Sequence, residues 1–123
     1  MEKITKGQLE AKISEAMIKF EKEFMGRGPM ETNTFIIKDA VLVRFKGVLT
    51  PAEVHLAKSS EGALLIKKTR VQLLQGARNL LENIIMDITS CNINSLHSDI
   101  STKTGEKIIV FILDRDLESK YKA

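Results

Sequence analysis

Tryptophan is absent from this chain, which has one cysteine, one tyrosine, two prolines and two histidines among its 123 residues. Each scarcity closes a route. Cys91 alone cannot form an internal disulfide, so a disulfide-stapled scaffold is excluded and a reduced, cytoplasmic compartment is expected. His55 and His97 stand far apart in sequence, and with Cys91 the only cysteine they fall short of the ligand set of a structural zinc, so no metal or other cofactor is expected. With five phenylalanines and one tyrosine, the core must be built mostly from Ile, Leu and Val. Long apolar runs are missing as well. No segment approaches the ~18–20 residues that cross a bilayer, and the opening MEKITKGQLEAKIS lacks the apolar stretch of a secretion signal. Direct membrane insertion is therefore not expected, and any membrane association would run through a partner. Charge of one sign is also lacking: 19 basic against 16 acidic residues leave +3, a bias that permits contact with nucleic acid without demanding it.

What is present is the composition of an ordinary folded domain, 43% hydrophobic and 28% charged, at a length that suits one domain over residues 1–123. Thr5 followed by Gln8 predicts a capping box. Leu9, Ile13, Ala16, Met17, Phe20 and Phe24 then recur at helical spacing, and Gly26-Arg27-Gly28-Pro29 stops the helix. Thr34–Lys38 and Val41–Lys46 predict two strands joined by a tight turn at Asp39-Ala40. Thr50-Pro51-Ala52-Glu53 predicts a second capping box and a short helix to about Lys58, with Ser59-Ser60-Glu61-Gly62 capping the next.

That next segment, residues 61–90, reads as one long helix. Thirty helical residues would span about 45 Å, against a radius of gyration of about 14 Å for a domain of this size. The helix must bend, with Gly76 the candidate, or overhang the domain. An overhanging apolar stripe predicts a homodimer through this helix. The last hairpin places Ser95, His97 and Asp99 on a polar face, turns at Thr102-Lys103-Thr104-Gly105, and returns through Lys107–Leu113, an almost unbroken apolar run predicting a central strand covered on both sides. The tail after Leu117 reads as frayed. The expected fold is α+β in the order α-β-β-α-α-β-β, an antiparallel four-stranded sheet with helices on one face and one long helix.

Catalytic patterns are weak. Gly26-Arg27-Gly28 follows a helix rather than opening one, which favours a helix stop over an anion nest with Arg27. Ser95, Ser98 and Ser101 near His97 lack a nucleophile elbow, and Arg115 between Asp114 and Asp116 fits a solvated strand end. No catalytic residues are assigned, and the chain is not expected to be an enzyme. Lys67, Lys68, Arg70 and Arg78, with Lys103 and Lys107, supply the basis for an alternative reading as a nucleic-acid-binding regulatory protein.

Three segments, KGQLEAKISEAMIKFEKEFMGRGP, VLVRFKGVLTPAEVHLAKSSEG and HSDISTKTGEKIIVFILDRDLE, together resemble the MpsC family, which includes YbcI-like proteins. That family is named for a component of a sodium-translocating system that generates membrane potential. The resemblance covers about residues 5–118, with matching positions at Gly26, Gly28, Pro29, Leu49, Thr50, Glu53 and the Asp99–Glu106 turn. It implies a small soluble accessory protein working beside an ion-translocating membrane subunit and a partner linked to inorganic-carbon supply. It carries over no catalytic residues. Arg27, His97, Asp99 and Lys103 are the candidate partner-contact residues.

Overall fold

A computed structural model of the chain describes residues 3–121. Thr5 and Gln8 form the expected capping box, each side chain taking the other's backbone amide, and start α1 (Lys6–Phe24). Two strands follow, β1 (Glu31–Ile37) and β2 (Ala40–Lys46). Their turn is Lys38-Asp39, one residue earlier than Asp39-Ala40, and Lys38 takes it with a left-handed φ of 55°. The second capping box, Thr50 with Glu53, starts α2 (Pro51–Leu56), and Ser59 caps α3 (Ser60–Gly76) through the Gly62 amide.

The long helix is two helices. α3 ends at Gly76 and α4 (Arg78–Thr89) begins after Ala77, whose φ of −100° and ψ of 2° leave the helical basin. Ala77 is buried at this joint, and the bend turns Leu81 and Ile85 of α4 into the core. Burying those side chains stabilises the bent path over a straight one, and glycine at position 76 lowers the cost of leaving the helix.

β3 (Ile93–Ile100) and β4 (Lys107–Leu113) complete an antiparallel sheet of order β1-β2-β4-β3. Gly105, at φ 75°, serves their turn. The helices lie on one face, where Ile36, Val41, Val43, Phe45, Ile109, Phe111 and Leu113 meet Leu9, Ile13, Met17 and Phe20 of α1 and Leu81 and Ile85 of α4. β4 is central, as expected, but it is covered on one side only. Lys107, Ile109, Phe111 and Leu113 are buried, whereas Ile108, Val110 and Ile112 stay partly open on the far face. The described residues form no second layer there. The tail is also tied down: Leu117 is buried, residues Glu118–Tyr121 form a 3-10 turn, and Glu118 pairs with Lys6 at 2.7 Å.

One ion pair lies inside the core. Lys107 Nζ donates to Glu21 Oε2 at 3.2 Å and sits 5.5 Å from the centre of the Phe45 ring, joining the end of α1 to β4. Their side chains are 6% and 2% exposed. Burial pushes the Lys107 ammonium below its ordinary value of 10.5, Glu21 pulls it back, and Arg70 adds to the lowering. Removing one partner strands the other charge in the core. Lys107→Met is expected to cost about 3–5 kcal/mol, read as a fall in urea stability. Glu21→Leu combined with Lys107→Met should restore most of it, because the pair leaves together.

Candidate functional site

The segments that carry the resemblance are separated in sequence, and parts of all three come together around the loop 47–50. Gly47, at φ 68°, reverses the chain after β2 where a Cβ would collide with Met30. Two arginines then hold the loop through successive carbonyls. Arg27, just past α1, donates through Nη1 to the Leu49 carbonyl at 3.0 Å, and Arg70 of α3 donates through Nη2 to the Val48 carbonyl at 3.1 Å. The Val48 amide donates to the Gly105 carbonyl at 3.1 Å, bringing in the β3–β4 turn.

Glu53 locks this arrangement. It accepts from Arg70 Nη2 at 2.7 Å and Nε at 2.9 Å, a two-pronged pair that fits a planar guanidinium, and from the Thr50 amide at 3.0 Å. Burial raises the Glu53 carboxyl, but the Arg70 guanidinium and the Thr50 amide outweigh it and hold the group below its ordinary 4.5.

Beside the loop, a cleft of about 270 Å³ separates α3 from β3 and β4. Lys67, Arg70, Arg78 and Lys107 line it, yet each has a carboxylate partner: Asp99 at 3.7 Å, Glu53 at 2.7 Å, Glu82 at 2.7 Å and Glu21 at 3.2 Å. On α3, Lys67 and Arg70 therefore each have a carboxylate beside them, whereas no described carboxylate pairs with Lys68. Among the described residues, no group of three or more His, Cys, Asp or Glu side chains is placed to hold a metal ion.

The four candidate contact residues divide. Asp99 and Lys103 share a shallow depression with Lys67 at the β3–β4 turn. Arg27 lies at the same end but serves the loop 47–50. His97 is exposed on the open sheet face, its Nε2 3.1 Å from Ser95 Oγ. The structure does not bring all four into one site.

Sequence reasoning expected cover on both sides of β4 and so missed the open sheet face turned away from the helices. Registers place Phe35 and Ile37 of β1, Leu42 of β2, and Ile108, Val110 and Ile112 of β4 side by side there, with Ser95, His97 and Asp99 along the β3 margin. Phe35 is 45% and Ile37 54% exposed. Charged residues gather at the other end, where Arg44 pairs with Glu106 at 2.6 Å and Lys46 with Glu31 at 3.2 Å. The signal was in the sequence: a strand apolar at every second position on both faces needs cover on both.

The family model described as "Na+-translocating membrane potential-generating system (MpsC)" matches residues 5–115. The chain belongs to the MpsC family. Among MpsC-like relatives, the Bacillus subtilis (strain 168) "Uncharacterized protein YbcI" is 42% identical over 116 residues, covering 94% of each chain. A second protein of that strain, "Uncharacterized protein YrhF", is 24% identical over 107 residues, 85% of this chain and 87% of its own. No solved structure matches significantly. Gly26, Leu49, Thr50, Glu53 and Gly105, positions that carried the MpsC resemblance, lie in or beside the clamped loop.

A carboxyl whose pKa falls on folding contributes stability that is complete above its unfolded value and fades as pH drops below it. The wild-type urea midpoint is expected to decline as pH falls below 4.5. Glu53→Gln should lose about 2 kcal/mol at pH 7 and show a shallower acid decline, since its share of the titration is gone.

Proposed function

We propose that this chain is a non-catalytic, cytoplasmic accessory protein that docks through its open sheet face onto a protein subunit of a sodium-translocating, membrane-potential-generating system. The observation that carries the reading is the uncovered apolar face of Phe35, Ile37, Leu42, Val110 and Ile112. Apolar surface gathered in one patch and rimmed by charge is what protein partners cover. The family description supplies the kind of partner. No helix among the described residues is long and apolar enough to cross a membrane, which supports association through a subunit.

A nucleic-acid-binding role draws less support. RNA-binding sheets present several aromatic side chains for base stacking, whereas the central strands here offer Leu42, Ile108, Val110 and Ile112, with Phe35 a single ring on the edge strand β1. On α3, Lys67 and Arg70, like Arg78 just beyond it, already sit against carboxylates.

Affinity purification of the tagged chain at native abundance from gently solubilised membranes is expected to recover the ion-translocating subunit. Val110→Asp should abolish that recovery with an unchanged circular dichroism spectrum, because the substitution puts charge on the open face rather than in the core. Recovery of no membrane subunit with the wild-type chain would overturn the proposal. A salt-dependent affinity for mixed RNA or DNA, falling steeply between ~50 and ~200 mM salt, would favour the nucleic-acid reading instead.

A further inference from the structure

Each edge of the sheet has one outward amide taken by a carboxylate. On β1 the Ile36 amide points away from β2 and donates to Glu10 Oε2 of α1 at 2.8 Å, a bond that ties the helix to that edge. The ladder then sets the direction of every other main-chain group by alternation. Val41, Val43 and Phe45 of β2 bond to β4, and Ile108, Val110 and Ile112 of β4 bond to Asp99, His97 and Ser95. Leu96, Ser98 and Ile100 therefore turn their amides and carbonyls outward, away from the sheet.

The Asp99 carboxylate takes the Ile100 amide at 2.8 Å, and a register shift between Ile93 and Ser95 interrupts the other end. What remains is a regular run, Ser95–Asp99, centred on His97, with Leu96 and Ser98 facing out. Among the described residues, no side chain takes the main-chain groups of Leu96 or Ser98. An unshielded edge is a template for another strand.

We infer that the occupant is a second copy of this chain, joined antiparallel through β3 about a two-fold axis at His97. This inference does not depend on the proposed membrane partner. The run is self-complementary: about that axis, Leu96 of each copy falls opposite Ser98 of the other, so the outward groups satisfy one another in reciprocal hydrogen-bonded pairs. Asp99, held by its own Ile100 amide and by Lys67 at 3.7 Å, falls opposite Ser95 and diagonal to His97 of the second copy, so no acid is set against another acid. α3 runs beside this edge and adds side-chain contact. Val71 is 51% and Leu64 60% exposed, and the cleft between α3 and β3 carries Leu74 and Leu96 on its walls. The dimer expected through the long helix thus moves to a strand edge, with α3 as its flank.

Light scattering on the full chain at high micromolar concentration is expected to give twice the 13.8 kDa chain mass. Ser98→Pro removes an outward amide while sparing the β3–β4 ladder, and should weaken self-association at least about tenfold with the dichroism spectrum retained. His97→Cys places two thiols at the axis, where Cα atoms of such a pair stand about 4.5 Å apart, and mild oxidation should cross-link them. Cys91 is buried and does not compete. The cross-link decides the matter if Ser98→Pro fails to fold. A wild-type mass of one chain overturns the inference, as does a dimer that resists a folded Ser98→Pro or one that His97→Cys leaves unlinked.

Discussion

A sheet has two faces, and this chain supplies helices for one. That constraint organises the rest of the molecule. α1 and α4 cover the inner face, where Val41, Val43, Phe45, Ile109 and Phe111 are sealed. The four strands then present an outer face whose apolar half no described residue covers. A solvated antiparallel sheet ordinarily alternates apolar inside with polar outside. β1 departs from that rule at Phe35 and Ile37, and β4 at Ile108, Val110 and Ile112. The departures lie side by side across the register, and their clustering is what distinguishes a contact surface from scattered exposed apolar residues.

The charged groups on the covered side serve a different purpose. Lys107 and Glu21 pair in the core, and Arg70 reaches from α3 to both Glu53 and the Val48 carbonyl. A buried ion pair contributes little net stability compared with apolar side chains of the same size, but breaking it is costly. Such contacts therefore penalise wrong arrangements more than they reward the right one. Here they tie α1 to β4, and α3 to α2 and the loop 47–50. Those attachments matter because α3 itself buries only Gly62 and Ile66 and would otherwise be weakly held.

Local signals were legible in the sequence wherever neighbouring residues decide the outcome. Thr5 with Gln8 and Thr50 with Glu53 formed their capping boxes, and the α1 stripe of Leu9, Ile13, Met17 and Phe20 faces the core. The order of elements and the one-sided packing followed. Long-range consequences were not legible. Lys107 reads as a charge on the last hairpin at the start of an apolar strand, and only the fold brings Glu21 to it. The break at Ala77 depends on what the joint buries, while Gly76 alone marks only a place where bending is inexpensive. The run Lys107–Leu113 announced two apolar faces, but periodicity cannot say whether the second cover comes from the same chain. Of the candidate contacts, Asp99 and Lys103 were recognisable as neighbours on one turn, whereas the role of Arg27 required the loop 47–50 to pass beside it.

The open face and the β3 edge differ in the chemistry they offer, and so they need not compete. The face presents side chains, and a partner there gains by removing Phe35, Ile37 and Val110 from water. The edge presents main-chain amides and carbonyls at Leu96 and Ser98, and a strand there gains hydrogen bonds whose alignment is fixed by the ladder. Joining two sheets through β3 would extend the outer face across both copies instead of hiding it, with the apolar patches of Phe35 and Ile37 at the two far margins. Each copy would keep its own patch while His97 and Asp99 met at the centre. A partner built to engage both patches at once would then bind the pair more tightly than either copy alone, because the second contact is made at the effective concentration set by the first.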